Sequence, residues 1–373
     1  MNFIITVLRA SFHAWDEEEL LRFQKGMDWD SFMSVAACNG LEGLIYRRFK
    51  AASLLDTLPQ DASKRLELCY YQNLARNMCL LQAVEELVDE FKKKGISLLL
   101  MQGMALLEDI YPALGARPMN DIDVMVREEE SAEVLKTLQD MGYRPIEHYP
   151  WLHVKGGLAL DVHHDPANTS RIGARRHAVA IPVQELWRDS APLPKGKDWR
   201  IFCWEDLLLT LCAHLQKHSY SRLIWFMDIG LIVKGHRGSI DWERLLDKAG
   251  RYKLEKPLFM VFSRLKYLFH LELPADVQRK LSTVKLNPLE KEILRRLKDG
   301  REVGRVGELL FAFSLESPRL TVAYLLETAF PRREILAQVY GISSPKLLWS
   351  AYPLRFCHLL KMGVSEAVRI LRT

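Results

Sequence analysis

Two segments of the chain alternate apolar and acidic residues with a period of two: DIDVMV from Asp121 to Val126 and LALDVHH from Leu158 to His164. Successive side chains of a strand point to opposite faces, so Ile122, Val124 and Val126 share one face while Asp121 and Asp123 share the other. In the second segment Leu158, Leu160 and Val162 fall together, opposed by Ala159, Asp161 and His163. Such a chain must build a sheet that is apolar on one side and offers carboxylates on the other. The Cα atoms of Asp121 and Asp123 should stand about 7 Å apart, so their side chains can meet on one cation, or on a metal pair about 3.5 to 4 Å apart. Two anions that close are unfavourable without a cation or a proton.

Helical periodicity brackets these strands. From Trp29 to about Lys94 apolar residues recur every three or four positions, most clearly in RLELCYYQNLARNMCLLQAVEELVDEFKKK, and Gly95 ends the pattern. ISLLLM then reads as a short buried strand, Met104 to Tyr111 as a helix, and REEESAEVLKTLQDMG as a helix closed by Gly142. WLHVKGGLALDVHH reads as a hairpin, with Gly156 and Gly157 supplying the positive φ angles of a tight turn. An Arg- and Pro-rich linker through APLPKGKDW leads to further helices, beginning at WEDLLLTLCAHLQKH and continuing through RLIWFMDIGLIVKG, DWERLLDKAG, KPLFMVFSRLKYLF and PLEKEILRRLK. The expected organisation is a helical region over 1–94, an α/β core over 95–200 and a second helical region over 201–373. A chain of 373 residues has room for two or three packed units.

Composition narrows the functional classes. Basic residues outnumber acidic ones by 52 to 47, and the two signs are interspersed, which favours local phosphate contacts over a polyanion-binding face. The run Lys92 to Lys94 suits the C-terminal end of a helix, and no DNA- or RNA-reading motif is present, so nucleic acid is not an expected partner. The six cysteines are scattered without a CxxC pair and are expected to be buried free thiols in a reducing compartment. The N-terminal sequence lacks a basic start and a small-residue cleavage site, and LIWFMDIGLIV is too short to span a bilayer, so no membrane association and a cytoplasmic location are expected.

Hard oxygen donors with open positions suit Mg²⁺ or Mn²⁺, which keep water and bridge phosphate oxygens; that chemistry is phosphoryl or nucleotidyl transfer. The run MQGMALLEDIYPALGARPMNDIDVMV, followed by a helix, MGYRP and LALDVHH, resembles the uncharacterised nucleotidyltransferase family within the DNA polymerase beta-like superfamily. The superfamily pattern is a glycine-containing turn, an acid-x-acid strand and a distant third acidic strand, here Gly103, Asp121 with Asp123, and Asp161. Similarity extends to the flanks, DWDSFMSVAACNGLEGLIYRRF and HLQKHSYSRLIWFMDIGLIV, and covers about residues 25 to 270.

The resemblance implies an α+β protein: a nucleotidyltransferase-fold α/β core with a small mixed sheet, flanked by N-terminal and C-terminal helical regions. It implies that Asp121 and Asp123 hold two metal ions and that Asp161 holds the one that activates an acceptor hydroxyl. Gly103 would let the backbone approach a nucleoside triphosphate, the substrate, and the helix after it would offer amide hydrogens. This chain has Gln102 and Met104 beside that glycine, where relatives often carry Lys and Ser. Arg117, Lys155 and Lys217 are further candidates for phosphate contact. The implied reaction moves a nucleoside monophosphate to a hydroxyl of an unidentified small molecule, sugar, peptide or protein. The alternatives are an inactive nucleotide-binding or regulatory module of the same fold and an antitoxin-like enzyme that modifies a protein.

Other residues carry competing readings. His163 shares a face with Asp161 and could touch metal or substrate, or be hydrogen-bonded structure. His214 and His218 have the i, i+4 spacing of a helical zinc site, yet HLQKH lacks the glutamate of HExxH and no third ligand is evident. Arg222 and Asp228 could line a nucleotide cleft with Lys217 or form an interhelical polar network. Arg171, Arg175, Arg176 and His177 could meet phosphate or be a solvated basic linker. Trp204, Trp225 and Phe226 sit in apolar helical patterns and are expected in the core.

Overall fold

The computed structural model describes residues 2–14, 18, 24, 26–169, 171–193, 199–301, 303–342 and 345–371. A mixed seven-stranded sheet lies among helices. Its strands are β1 (Leu99–Leu100), β2 (Asp121–Met125), β3 (Arg144–Ile146), β4 (Tyr149–Lys155), β5 (Leu158–His163), β6 (Ala191–Pro192) and β7 (Arg200–Ile201), in the order β3-β4-β5-β2-β1-β7-β6. The protein is thus a mixed α/β fold with flanking helices, as the sequence suggests, although the sheet gains β6 and β7 from the stretch read as a linker. Positions 194–198 of that linker, within APLPKGKDW, lie outside the described residues.

The pair at the centre of the sheet is β2 and β5, which run parallel with Asp121 opposite Ala159, Asp123 opposite Asp161 and Met125 opposite His163. Both strands turn their apolar face to the core: Ile122, Val124 and Leu160 are inaccessible to solvent, and Leu158 at the start of β5 is partly buried. That burial fixes register, because a slip of one residue would turn the acids into the core. β4 and β5 form the expected hairpin, with φ of 56° at Gly156 and 78° at Gly157, a conformation that side-chain-bearing residues adopt at a cost.

Helices hold the sheet in place. The 34-residue helix Gln60–Lys93 buries Leu66, Leu80, Val84, Leu87 and Phe91, and its polar residues clamp the segment entering β2. Asn77 Nδ2 donates to the carbonyls of Leu114 and Arg117 at 2.6 and 2.8 Å, and Arg76 donates to those of Met119 and Asn120. On the other side the helices Trp204–Lys217, Leu223–His236, Trp242–Arg251 and Glu255–Phe269 pack together, and one apolar core runs from Phe3 to Tyr324.

Two expectations need correction. Positions 102–110 form a succession of turns instead of the α-helix expected from Met104 to Tyr111. Met104, Ala105, Leu106 and Leu107 are consecutive and all buried, so no single helix face separates core from solvent there. The cysteines are not uniformly buried: Cys212 is, but Cys38, Cys79 and Cys357 are exposed on helix surfaces. No described helix is long and apolar enough to cross a membrane.

Candidate functional site

Because β2 and β5 are neighbours in register, Asp123 and Asp161 project side by side from one face of the sheet. His163, two residues beyond Asp161 on the same strand, turns its ring back toward them. Its Nε2 lies 3.1 Å from Asp123 Oδ1 and 3.4 Å from Asp161 Oδ2. One donor atom from each of Asp123, Asp161 and His163 falls within 4.8 Å of the others, compact enough to surround a single cation. Asp121 opens onto the same cleft. Gln102, just past β1 and held at a φ of 45°, donates its side-chain amide to Asp123 Oδ1 at 3.2 Å.

The electrostatics follow from crowding acids in a half-closed space. Burial, with the charges of Asp123 and Asp161 added, pushes the Asp121 carboxyl up to about 6. Burial also raises Asp161, opposed by the nearby His163 and reinforced by Asp123. For His163, burial works against the charged ring, but the hydrogen bond to Asp123 and the negative charge of Asp161 raise it above its ordinary value. A protonated ring there would offset the carboxylate charge, whereas a neutral one offers its nitrogen to a cation.

The acids open into a cleft of about 1260 Å³, walled on one side by the sheet and on the other by the helical region. Gln102, Gly103 and Arg117 line it from the core, and His214, Lys217 and His218 line it from the end of helix Trp204–Lys217. Lys155 lies elsewhere, 3.6 Å from Glu86 and over the ring of Tyr143. Met104 points inward and is 1% exposed. Arg117 is locked in a buried ion pair with Asp228, Nε to Oδ1 at 2.9 Å and Nη2 to Oδ2 at 2.8 Å, with the Tyr111 hydroxyl also on Oδ1. Gly103 is needed where it stands, since a Cβ there would collide with Arg117 Nη1 and the sulfur of Met119.

Among the basic residues after β5, Arg175 is buried against Glu308 and Tyr324, whereas Arg171 and Arg176 are exposed at the cleft. Phe226 is core, and Trp204 stacks on His236 with ring centres 4.0 Å apart. Trp225 instead faces the cleft, its ring 5.0 Å from that of His214 and 5.2 Å from that of His218. Burial, with His218 and Lys217 close by, holds His214 well below its ordinary value, so its ring stays neutral. Sequence reasoning missed the remaining wall, in which Trp151, Arg127 over the Trp187 ring at 4.5 Å, and Ile335 and Gln338 from helix Arg333–Tyr340 take part. No local pattern marks those residues, which the fold brings together from distant parts of the chain.

An α/β core whose adjoining parallel strands aim acids into a broad cleft is the frame of a nucleotidyltransferase. Residues 25–270 match the family model described as uncharacterised nucleotidyltransferase, and the chain belongs to that family. Nucleotidyl transfer is the class of chemistry that membership carries. A solved structure, that of the antibiotic-resistance factor ANT(2'')-Ia, is similar at 15% identity, covering 47% of this chain and 91% of that one with a TM-score of 0.33. No curated protein matches.

Proposed function

We propose that the protein moves a nucleoside monophosphate from a nucleoside triphosphate to a hydroxyl acceptor, using Mg²⁺ or Mn²⁺ held by Asp121, Asp123 and Asp161. The observation that carries this reading is the register of β2 and β5, which sets Asp123 beside Asp161 at the floor of the cleft. The donor set fits such an ion: carboxylate oxygens, one imidazole nitrogen within 4.8 Å of them, and a cleft that leaves coordination positions open to phosphate and water. When bound, the ion would neutralise phosphate charge and lower the pKa of the acceptor hydroxyl.

The chain's own residues divide the remaining work. Asp161, with a side chain 38% exposed against 12% for Asp123, would receive the acceptor's proton. Asp123, 12% exposed and held by Gln102 and His163, keeps a fixed orientation. The acceptor is a small molecule, sugar, peptide or protein that enters by the open side of the cleft.

Incubation with labelled nucleoside triphosphates, either metal and fractionated acceptors should yield a labelled product. Asp123→Ala should lower its rate by about a hundredfold or more, the usual cost of one preorganised electrostatic contact. Undiminished labelling by that variant would overturn the proposal. A second reading, nucleotide binding without turnover, draws on Gln102 occupying an oxygen of Asp123 where relatives often place Lys beside the glycine. Calorimetric binding with no labelled product from any acceptor would favour it, and a labelled partner protein on intact mass would favour an antitoxin-like role.

A further inference from the structure

The sequence offers the glycine turn to phosphate, but the structure fills that turn from within. The space a Cβ would take at Gly103 is occupied by Arg117 and Met119, Arg117 is committed to Asp228, and Met104 is buried. Gln102 spends its amide on Asp123. The described residues of the glycine turn itself therefore offer no spare cation for the far end of a triphosphate.

Elsewhere around the cleft stand Lys217, Arg171, Arg176 and Arg222. Lys217 closes helix Trp204–Lys217 and lines the same cleft, and among the described residues its ammonium makes no hydrogen bond or ion pair. Asp161 and Glu308 are the acids within electrostatic reach, and Glu308 is already taken by Arg175 and Tyr324. Arg171, exposed at the cleft, lies close enough for its charge to be felt at Lys217. A partly buried ammonium without a partner is costly, and a phosphate oxygen would satisfy it.

We propose that Lys217, assisted by Arg171, seats the β- and γ-phosphates of the triphosphate, so that the tail lies against the helical wall and not on the glycine turn. This rests on the reading of the cleft as a nucleotidyltransferase site. It assigns to the second helical region the contact that the turn's own residues do not supply.

The test is calorimetric titration of the full chain, with Mn²⁺, against the α,β-methylene analogues of ATP, GTP, CTP and UTP and against the matching monophosphates. Lys217→Met should weaken the best-bound triphosphate analogue by about ten- to a hundredfold, the range for a hydrogen bond to a charged group, and leave its monophosphate within about twofold. Lys217→Arg should restore most of the loss, and Arg171→Gln should show a smaller loss of the same kind. A Lys217→Met protein that melts like the wild type and binds the triphosphate analogue equally well overturns the assignment, and so does an equal loss for the monophosphate. Should Lys217→Met fail to fold, Arg171→Gln decides by the same comparison. A wild-type protein that binds none of the analogues would instead bring down the nucleotidyltransferase reading itself, and this assignment with it.

Discussion

Arg117 and Asp228 meet in a two-pronged ion pair at the seam between the sheet and the helix Leu223–His236, with side-chain exposures of 8% and 0%. The Tyr111 hydroxyl shares the aspartate at 2.5 Å, and burial together with the charge of Asp228 holds that phenol well above its ordinary value. Tyr111 and Arg117, close together in the chain, thus share one acid from a distant helix where water has little access. The segment entering β2 is held by two helices, by Asn77 and Arg76 of one along its length and by Asp228 of the other at Arg117. The acids of β2 inherit that rigidity.

Removing one partner of a buried pair leaves the other charge uncompensated, which typically costs about 3 to 5 kcal/mol. Asp228→Ala should lower stability by that amount in urea unfolding, with Asp228→Asn milder because it keeps an acceptor for Tyr111. A midpoint for Asp228→Ala equal to that of the wild type would show that water reaches Arg117.

Gly103 makes a second prediction, separable from activity. Adding a methyl where Arg117 Nη1 and the Met119 sulfur already lie forces a buried ion pair to shift. Overpacking of this kind costs about 1 to 3 kcal/mol, so Gly103→Ala should melt at a lower temperature even without nucleotide. An unchanged melting temperature, paired with weakened nucleotide binding, would return the glycine to the role the sequence suggests.

The acids were legible because period-two alternation is a local signal: Asp121, Asp123 and Asp161 could be assigned to one face without knowing that β2 and β5 are neighbours. The hairpin was legible for the same reason, through its paired glycines. What failed was local ambiguity. Met104 to Leu107 read as helix because an apolar run cannot by itself distinguish helix from a buried irregular turn, and β6 and β7 are two residues each, too short to show a period. Pairing was invisible throughout: Arg117 and Asp228 are 111 positions apart, and Arg175 and Glu308 are 133. Both arginines read as free cations in sequence, and both are consumed by acids in the fold.

Acid sensitivity should come in part from Asp189. Burial would raise its carboxyl, but hydrogen bonds from Arg188, Lys248 and Arg244 prevail and hold it well below its ordinary 3.8. Lys248, 1% exposed, also reaches the inaccessible Asp206, so the cluster ties helix Val183–Asp189 to the helices Trp204–Lys217 and Trp242–Arg251. A carboxylate whose folded pKa is depressed contributes stability that is complete above its unfolded value and is lost as pH falls toward the folded one. Urea midpoints should therefore decline as pH drops below about 4, and Asp189→Asn should flatten that decline while lowering the plateau at neutral pH. Parallel curves for the two proteins would assign the acid limb to other groups.

The last prediction concerns the part of the chain beyond the family match, which still reaches the cleft. Arg175, 2% exposed, donates to both oxygens of Glu308 at 2.5 and 2.7 Å, and the Tyr324 hydroxyl donates to Glu308 as well. The helix that begins at Gly307 is seated on the end of helix Trp204–Lys217, since a Cβ at Gly307 would strike the carbonyls of Gln216 and Lys217, and its amide donates to Ser219. Farther along, Gln338 accepts from the Tyr149 hydroxyl at 2.9 Å and lines the cleft with Ile335. Glu308 is 37% exposed, so water can partly replace it, and Glu308→Ala should cost only about 1.5 to 3 kcal/mol, the range for hydrogen bonds to a charged group. The loss should be local: amide hydrogen exchange should quicken across 307–340 and at Tyr149 while β2 and β5 keep their protection. Glu308→Gln, which retains an acceptor for the guanidinium, should sit between the two. Exchange that rises equally in the sheet, or nowhere, would mean that Arg175 and Glu308 do not tether these helices to the cleft.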